Sequence, residues 1–234
     1  MGTCTNQELS NICWSFANLK NPKGTEVLVT HCEFFAKRSL NSDFRSLSII
    51  FHSFLEIKST SLDSKTQHQL FASVLVRRRS EIAKLNALDF STLLLFACKA
   101  DLEETSRCLL LENMIPLIPE HMPKIGLKGF GSMCFSLSFL SKDQLSQDLY
   151  YYMESEFLAR IGNKKTEQEY SANGKINCSM LLLLANGEPV YGSDETYDLI
   201  YSNMLVKNTG IKHVGDLESL LFYYQHSKIK PALE

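Results

Sequence analysis

The sequence predicts an all-α protein: an α-solenoid of about five helix-turn-helix repeats of roughly forty residues, plus a terminal helix. Three observations point there. In Glu8-Leu-Ser-Asn-Ile-Cys-Trp-Ser-Phe-Ala-Asn-Leu-Lys20, the residues Leu9, Ile12, Cys13, Phe16, Ala17 and Leu19 fall at helical spacing on one broad face. The stretch recurs around Ser53 to Lys58, and later copies open at Phe90, Phe130, Ile176 and Leu217. With Phe16 as marker, the equivalents Phe54, Ala97, Leu137, Leu183 and Tyr224 follow at gaps of 38, 43, 40, 46 and 41 residues. Between copies, a turn signal is followed by a second helix-length apolar run, so each repeat is a helix pair that cannot bury its apolar face alone.

The repeats span approximately 7–40, 41–85, 86–123, 124–163 and 174–210, with a terminal helix over 214–226, all in one domain of 1–234. In the first, Lys20-Asn-Pro-Lys-Gly24 reads as a turn, Thr25 as an N-cap, and a second helix continues through Val27, Cys32 and Phe35 to Lys37-Arg38. Asn41-Ser-Asp43 opens the second, with a first helix from about Phe44 to Ile57, a turn over Ser59 to Ser64, and a second helix that carries Leu70, Phe71, Val74 and Leu75 and ends in Arg77-Arg78-Arg79. The third has helices over Ala87 to Lys99 and Glu103 to Ile115; Pro116, Pro119 and Pro123 then impose a long irregular connection. Gly126, Gly129 and Gly131 give a flexible entry to the fourth repeat, whose second helix runs from Leu145 to Ile161. The polar stretch 162–175 reads as a flexible insertion, and the fifth repeat pairs Ile176 to Leu184 with Glu195 to Val206.

Composition excludes more than it selects. A formal charge of -2 gives no overall basic field to draw the chain onto nucleic acid. The seven cysteines form no CxxC pair, are odd in number and sit partly on apolar faces, which points to a reducing compartment. Asn177-Cys-Ser179 has the form of a glycosylation sequon but falls inside a helix expected to be buried. No apolar run approaches membrane-span length, and Met1 to Thr5 offers neither a signal peptide nor an Arg-rich presequence. The six histidines have no metal-ligand spacing, Gly126 to Gly131 lacks the order and context of a phosphate loop, and no Ser or Cys lies in a nucleophile motif. The expectation is a non-enzyme without cofactor or metal.

Positive charge gathers at the ends of the second helices: Lys37 and Arg38; Arg77, Arg78 and Arg79; Arg160 with Lys164 and Lys165; Lys207 with Lys212. Glu26, Glu103-Glu104, Asp148 and Asp194-Glu195 stand at their starts. Helix-dipole complementation predicts this polarity for any helix; stacked repeats would also align the basic ends into an edge able to hold phosphates. On the first helices Ser10, Asn11 and Ser15 correspond to Ser48, Ile49 and Ser53, to Ser91, Thr92 and Phe96, to Gly131, Ser132 and Ser136, and to Asn177, Cys178 and Leu182. Small polar residues in register either read bases or permit close helix packing. Tyr150 to Tyr152 and Tyr223-Tyr224 are better suited to packing than to base stacking.

Glu8 to Leu19, with its Trp14-Ser-Phe16-Ala17 core, resembles the first helix of the octotricopeptide and heptatricopeptide organellar repeats, found also in FAST-kinase-like proteins. In later copies His52, Leu95, Phe135, Leu181 and Phe222 replace Trp14, and no RAP domain is visible after Lys228. The resemblance implies an RNA-associated α-solenoid in mitochondria or plastids; members in some protists are mitochondrial ribosomal proteins, and the expectation here is a structural component of a mitochondrial ribosome that contacts rRNA and neighbouring proteins. The ten cations named above would line the RNA edge. The alternative is a protein-protein scaffold without RNA, in a mitochondrial complex or in the cytoplasm.

Overall fold

The computed structural model describes residues 4–19, 22–57, 64–161, 173–185 and 192–201. Among these every regular element is helical and no strand occurs. The α-helices are α1 (Asn6–Leu19), α2 (Pro22–Thr30), α3 (Cys32–Ser39), α4 (Phe44–Glu56), α5 (Ser64–Arg77), α6 (Ala87–Lys99), α7 (Glu104–Met114), α8 (Ile118–His121), α9 (Leu127–Leu137), α10 (Gln147–Ile161), α11 (Asn173–Ala185) and α12 (Asp194–Tyr201). They divide into two compact bodies, Met1–Ile125 and Gly126–Glu234, and the division falls where the third and fourth predicted repeats meet.

In the first body α1 packs on α4 and α4 on α6, while α3 packs on α5 and α5 on α7. The first helices run parallel. Asn6 Nδ2 donates to the Asn41 carbonyl ahead of α4 (3.3 Å), Ser48 Oγ reaches Asp89 near the start of α6 (2.7 Å), and Lys99 meets Glu56 where α6 and α4 end (3.5 Å). The core between the layers is aromatic: Phe51 and Phe54 of α4 both close on Phe71 of α5 (centroids 5.1 and 4.5 Å), and Phe51 also meets Phe96 of α6 (4.7 Å). Such pairs add about 0.5–1.5 kcal/mol each beyond burial of their area. In the second body α9 packs on α11, and α10 meets α11 and α12.

The structure corrects three details of the sequence reading. Lys20 to Gly24 is not a turn throughout: Pro22 opens α2, because a proline at the first helical position loses no hydrogen bond, and Thr25 lies inside the helix rather than capping it. A Cβ at Gly24 would stand 2.8 Å from the ring of Phe16, so the glycine lets α2 lie close on α1. The long second helix expected in the first repeat is broken at His31, separating α2 from α3. Pro116, Pro119 and Pro123 produce no irregular loop; each sits in the first turn of a short helical segment, at Ile115–Leu117, α8 and Met122–Lys124. The predicted insertion 162–175 lies outside the described residues except for its last three, which open α11. The terminal helix 214–226, the turn at 186–189 and the end of the fifth repeat also lie outside them.

Candidate functional site

Helix caps give the first helices of the predicted repeats a common register. Thr5 and Glu8 form a capping box, the Glu8 amide donating to Thr5 Oγ1 (3.2 Å) and the Thr5 amide to Glu8 Oε2 (2.7 Å). Asp43 caps α4 through the Ser46 amide, Asn86 caps α6 through the Asp89 amide (both 2.9 Å), and Gly126 precedes α9 in extended conformation. Thr5, Asp43, Asn86 and Gly126 are separated by 38, 43 and 40 residues, the same gaps as the sequence marker.

Counting from each cap assigns the faces of the first helices. Leu9, Leu47, Phe90, Phe130 and Ile176 share one position and are buried, as are Cys13, Phe51, Leu94, Cys134 and Met180 at another. Ser10, Ser48, Ser91, Gly131 and Asn177 are also buried. A Cβ on Gly131 would meet Ile176 Cγ1 at 2.9 Å, so this glycine sets how closely α11 approaches α9. The sequon asparagine, Asn177, is thus inside the fold. In the triplets of α1, α4, α6 and α9, only the middle position, Asn11, Ile49, Thr92 and Ser132, reaches solvent on all four helices.

That position belongs to an outward row. On α1 the row is Gln7, Asn11, Trp14 and Asn18; on α4, Arg45, Ile49, His52 and Glu56; on α6, Leu88, Thr92, Leu95 and Lys99. All twelve are exposed or half-buried, and Trp14 (53% exposed) and Leu88 (57%) stand out for their size. In the second body α9 carries Lys128, Ser132 and Phe135 at the corresponding positions, and Phe139 in the turn just after it meets Phe135 edge to face at 4.9 Å. The first body therefore presents a surface of planar rings, aliphatic groups, amides and cations built from three parallel helices.

The predicted cation edge resolves into two classes. Arg38 donates to the Cys4 carbonyl ahead of α1 (2.9 Å). Arg78 donates to the Ser42 carbonyl ahead of α4 (2.7 Å) and to Ser39 (3.4 Å), pairs with Glu81 (3.1 Å) and lies 4.1 Å over the Phe44 ring. Arg160 pairs with Glu156 (2.9 Å) and lies 5.3 Å over Phe130 in the first turn of α9. Each of these arginines reaches back from the end of a second helix to the start of its own repeat, and that reach was not legible in the charge pattern. Lys37, Arg77 and Arg79 are exposed. Because Arg78 touches the end of α3, the basic ends of α3 and α5 lie side by side. Lys164, Lys165, Lys207 and Lys212 lie outside the described residues.

A second recurrent device joins successive second helices. Gln69 of α5 accepts from the Glu103 amide (3.2 Å) and donates to Ser106 Oγ (2.6 Å), capping α7. Glu154 of α10, buried, accepts from the Ser193 amide (2.5 Å), Ser193 Oγ (2.8 Å) and Thr196 Oγ1 (2.6 Å), capping α12. A groove of about 510 Å³ beside Gln69 is lined also by Lys65, Leu70 and Glu103. It holds no convergent set of acid, base and nucleophile.

The titratable groups serve the fold. Burial pushes the Cys13 thiol up to about 12 and those of Cys98 and Cys134 higher still, removing them as thiolate nucleophiles. His121 is stacked on Phe90 (4.1 Å), and burial, then Lys124, hold its imidazole below the ordinary range against Glu120. Among the described residues no three His, Cys, Asp or Glu side chains are grouped to hold a metal, and no helix is long and apolar enough to cross a membrane. Of the predicted tyrosines, Tyr150 is core while Tyr151 is exposed; Tyr223 and Tyr224 lie outside the described residues. Compared with family models, curated proteins and solved structures, the chain matches none of them.

Proposed function

We propose that this chain is a non-catalytic α-solenoid of the octotricopeptide or heptatricopeptide kind, and that its outward row binds single-stranded RNA within an organellar ribonucleoprotein, most plausibly the mitochondrial ribosome. The observation that carries the reading is the equivalent placement of Trp14, His52 and Leu95 on parallel, mutually packed helices, with Asn11 and Thr92 one turn away. The rings of Trp14 and His52 stack on bases, Leu95 offers an aliphatic contact at the equivalent position, and the amides and hydroxyls beside them reach base edges. Lys99 on the same face makes only a long surface ion pair with Glu56 (3.5 Å), which costs little to exchange for a phosphate, and the exposed Arg45, 3.4 Å from the buried Asp89 carboxylate, supplies a second cation there. Lys37, Arg77 and Arg79 supply a further phosphate-binding edge; Arg38, Arg78 and Arg160 do not, since they hold their own repeats together.

The test is fluorescence anisotropy with labelled single-stranded RNA of mixed sequence. The reading expects binding that weakens with salt, with a slope of log K against log [salt] reduced by about 2 when Lys37, Arg77 and Arg79 are reversed to Glu, since each phosphate on a single strand contributes about 0.7. No binding at low salt would overturn it.

A second reading, a protein scaffold, is favoured by the apolar members of the row, Ile49, Leu88 and Leu95, which suit a bound helix. Sedimentation from an organelle extract separates the two. Migration with rRNA that collapses after nuclease supports the first, and a nuclease-resistant assembly supports the second.

A further inference from the structure

In the first body the first helices start where the second helices end. Arg38 reaches the Cys4 carbonyl ahead of α1 (2.9 Å) and Arg78 the Ser42 carbonyl ahead of α4 (2.7 Å). The exposed Lys37, Arg77 and Arg79 therefore stand beside the starts of the helices that carry the outward row. Lys84, also exposed, lies just before Asn86, the cap of α6. Arg45 holds the first row position on α4, with its side chain 58% exposed. The acids at this edge are engaged: Thr5 holds Glu8, Asp43 caps α4, Glu81 pairs with Arg78, and Asp89 is buried against Ser48. The parallel helices α1, α4 and α6 also turn their positive N-terminal ends to it. The opposite end of the row has the reverse character. There the same helices present their carbonyl ends, Lys99 pairs with Glu56 (3.5 Å), Lys65 lines a groove with Glu103, and Asp101 and Glu104 are exposed. A polyanion is drawn to the first edge more strongly than to the second.

We propose that a bound RNA strand crosses α1, α4 and α6 with its phosphodiester backbone along the edge of Lys37, Arg77, Arg79, Lys84 and Arg45, and with its bases turned down the row toward Trp14 and His52. The proposal rests on the reading of the outward row as an RNA surface and adds the side on which the phosphates lie. His52 stands two helical turns beyond Arg45 on α4, about 10 Å along the axis, which leaves a ribose and base between a phosphate at Arg45 and the ring. Arg45 can turn to a phosphate at little cost, because Asp89 keeps its bonds from Ser48 and Asn86. A single phosphate reaching Lys99 leaves the track in place, since most of the unengaged positive charge lies at the other edge. The arrangement also selects its substrate. A duplex holds its bases stacked and paired between the two backbones, so only an unpaired segment meets the cationic edge and the rings together.

The probe is mixed-sequence single-stranded RNA with one nitroxide on a central phosphorothioate, added to the isotope-labelled full chain. Strands bound in several registers still place the nitroxide along one edge, so paramagnetic broadening of backbone amides reports the edge directly. The expected broadening is strongest over 43–46 and 77–84 and weaker over 99–104. In salt titrations followed by anisotropy, Arg45→Gln and Lys84→Gln should each lower the slope of log K against log [salt] by about 0.7, while Lys65→Gln leaves it unchanged. All three positions are exposed, so circular dichroism should remain that of the parent chain. An RNA duplex should compete roughly tenfold less well than the single strand. Broadening over 99–104 as strong as over 77–84 overturns the track and leaves the RNA surface standing, as does a slope lowered by Lys65→Gln and not by Lys84→Gln. A duplex that competes equally also overturns it. Absence of any binding to the single strand removes the surface itself, and the track with it.

Discussion

Asp89 is the side chain on which the junction of α4 and α6 depends most. Its carboxylate is 1% exposed and accepts from Ser48 Oγ (2.7 Å), Asn86 Nδ2 (2.5 Å) and, weakly, Arg45 Nη1 (3.4 Å). A hydrogen bond to a charged group contributes about 1.5–3 kcal/mol, which puts the two short bonds at about 3–6 kcal/mol if both donors were orphaned by their loss. They are not orphaned. Ser48 Oγ also reaches the Arg45 carbonyl (3.0 Å), and Asn86 is exposed to water. Asp89→Ala is therefore expected to cost about 2–3 kcal/mol, and Asp89→Asn, which keeps one acceptor, about 1–2 kcal/mol. Urea unfolding followed by circular dichroism measures both, as a lowered midpoint at constant m. In a double-mutant cycle, Ser48→Ala should couple to Asp89→Ala by at least about 1 kcal/mol. A loss under about 0.5 kcal/mol for Asp89→Ala, or no coupling to Ser48, would refute the claim that this carboxylate joins the two repeats.

Other predictions follow from single positions. Burial raises the Asp43 carboxyl, but the Ser46 amide and hydroxyl outweigh it, so the group sits below its ordinary range. The stability it lends is present above the unfolded value and is lost as pH falls below about 4. Asp43→Asn should hold stability at pH 7 and flatten that acid loss, whereas Asp43→Ala costs about 1 kcal/mol at pH 7; thermal melts from pH 3 to 7 check both. His121 has its imidazole held low, so the unfolded chain binds a proton first and stability falls as pH drops through about 6.5. Its ring nitrogens are buried without a hydrogen-bond partner, so His121→Phe should be neutral or mildly stabilising and should reduce the slope between pH 5 and 7. The two glycines flanking the start of α9 should behave oppositely. Gly131→Ala forces α9 from α11 at an overpacking cost of about 1–3 kcal/mol, only partly offset by about 1 kcal/mol of helix propensity. Gly126→Ser, in open space, gains up to about 1 kcal/mol as a cap. Alkylation at pH 8 with mass spectrometric readout should label exposed Cys108 in the native protein and spare Cys13, Cys98 and Cys134 until denaturant is added.

The register of the first helices was legible because it rests on local signals, a polar cap followed at fixed distances by apolar residues. Asp43, the start of α6 at Ala87 and the marker gaps all emerge from that pattern. The faces were less legible. Ser10, Asn11 and Ser15 look alike in sequence, yet Ser10 packs against a neighbour and Asn11 meets water, and only the direction of the next helix separates them. The contacts of the basic ends were illegible for a similar reason. Arg78 and Arg79 are adjacent and identical, but one turns back onto Phe44 and the carbonyls before α4 while the other is exposed. Prolines 116, 119 and 123 read as breakers because none can continue a long helix; that each opens a short one depends on their spacing of three and four residues. Gln69 and Glu154 were missed entirely, since a cap supplied from 34 or 39 residues away leaves no local trace.

Trp14 is the chain's one tryptophan and stands in the outward row, so its emission reports on that surface alone. The most direct measurement is a titration of the protein with unlabelled single-stranded RNA, following Trp14 fluorescence, alongside anisotropy on a Trp14→Leu variant. The account predicts saturable quenching as a base stacks on the indole, and a 5- to 150-fold weaker affinity for the variant, equivalent to about 1–3 kcal/mol. RNA binding that leaves Trp14 emission unchanged and the variant's affinity intact would contradict it.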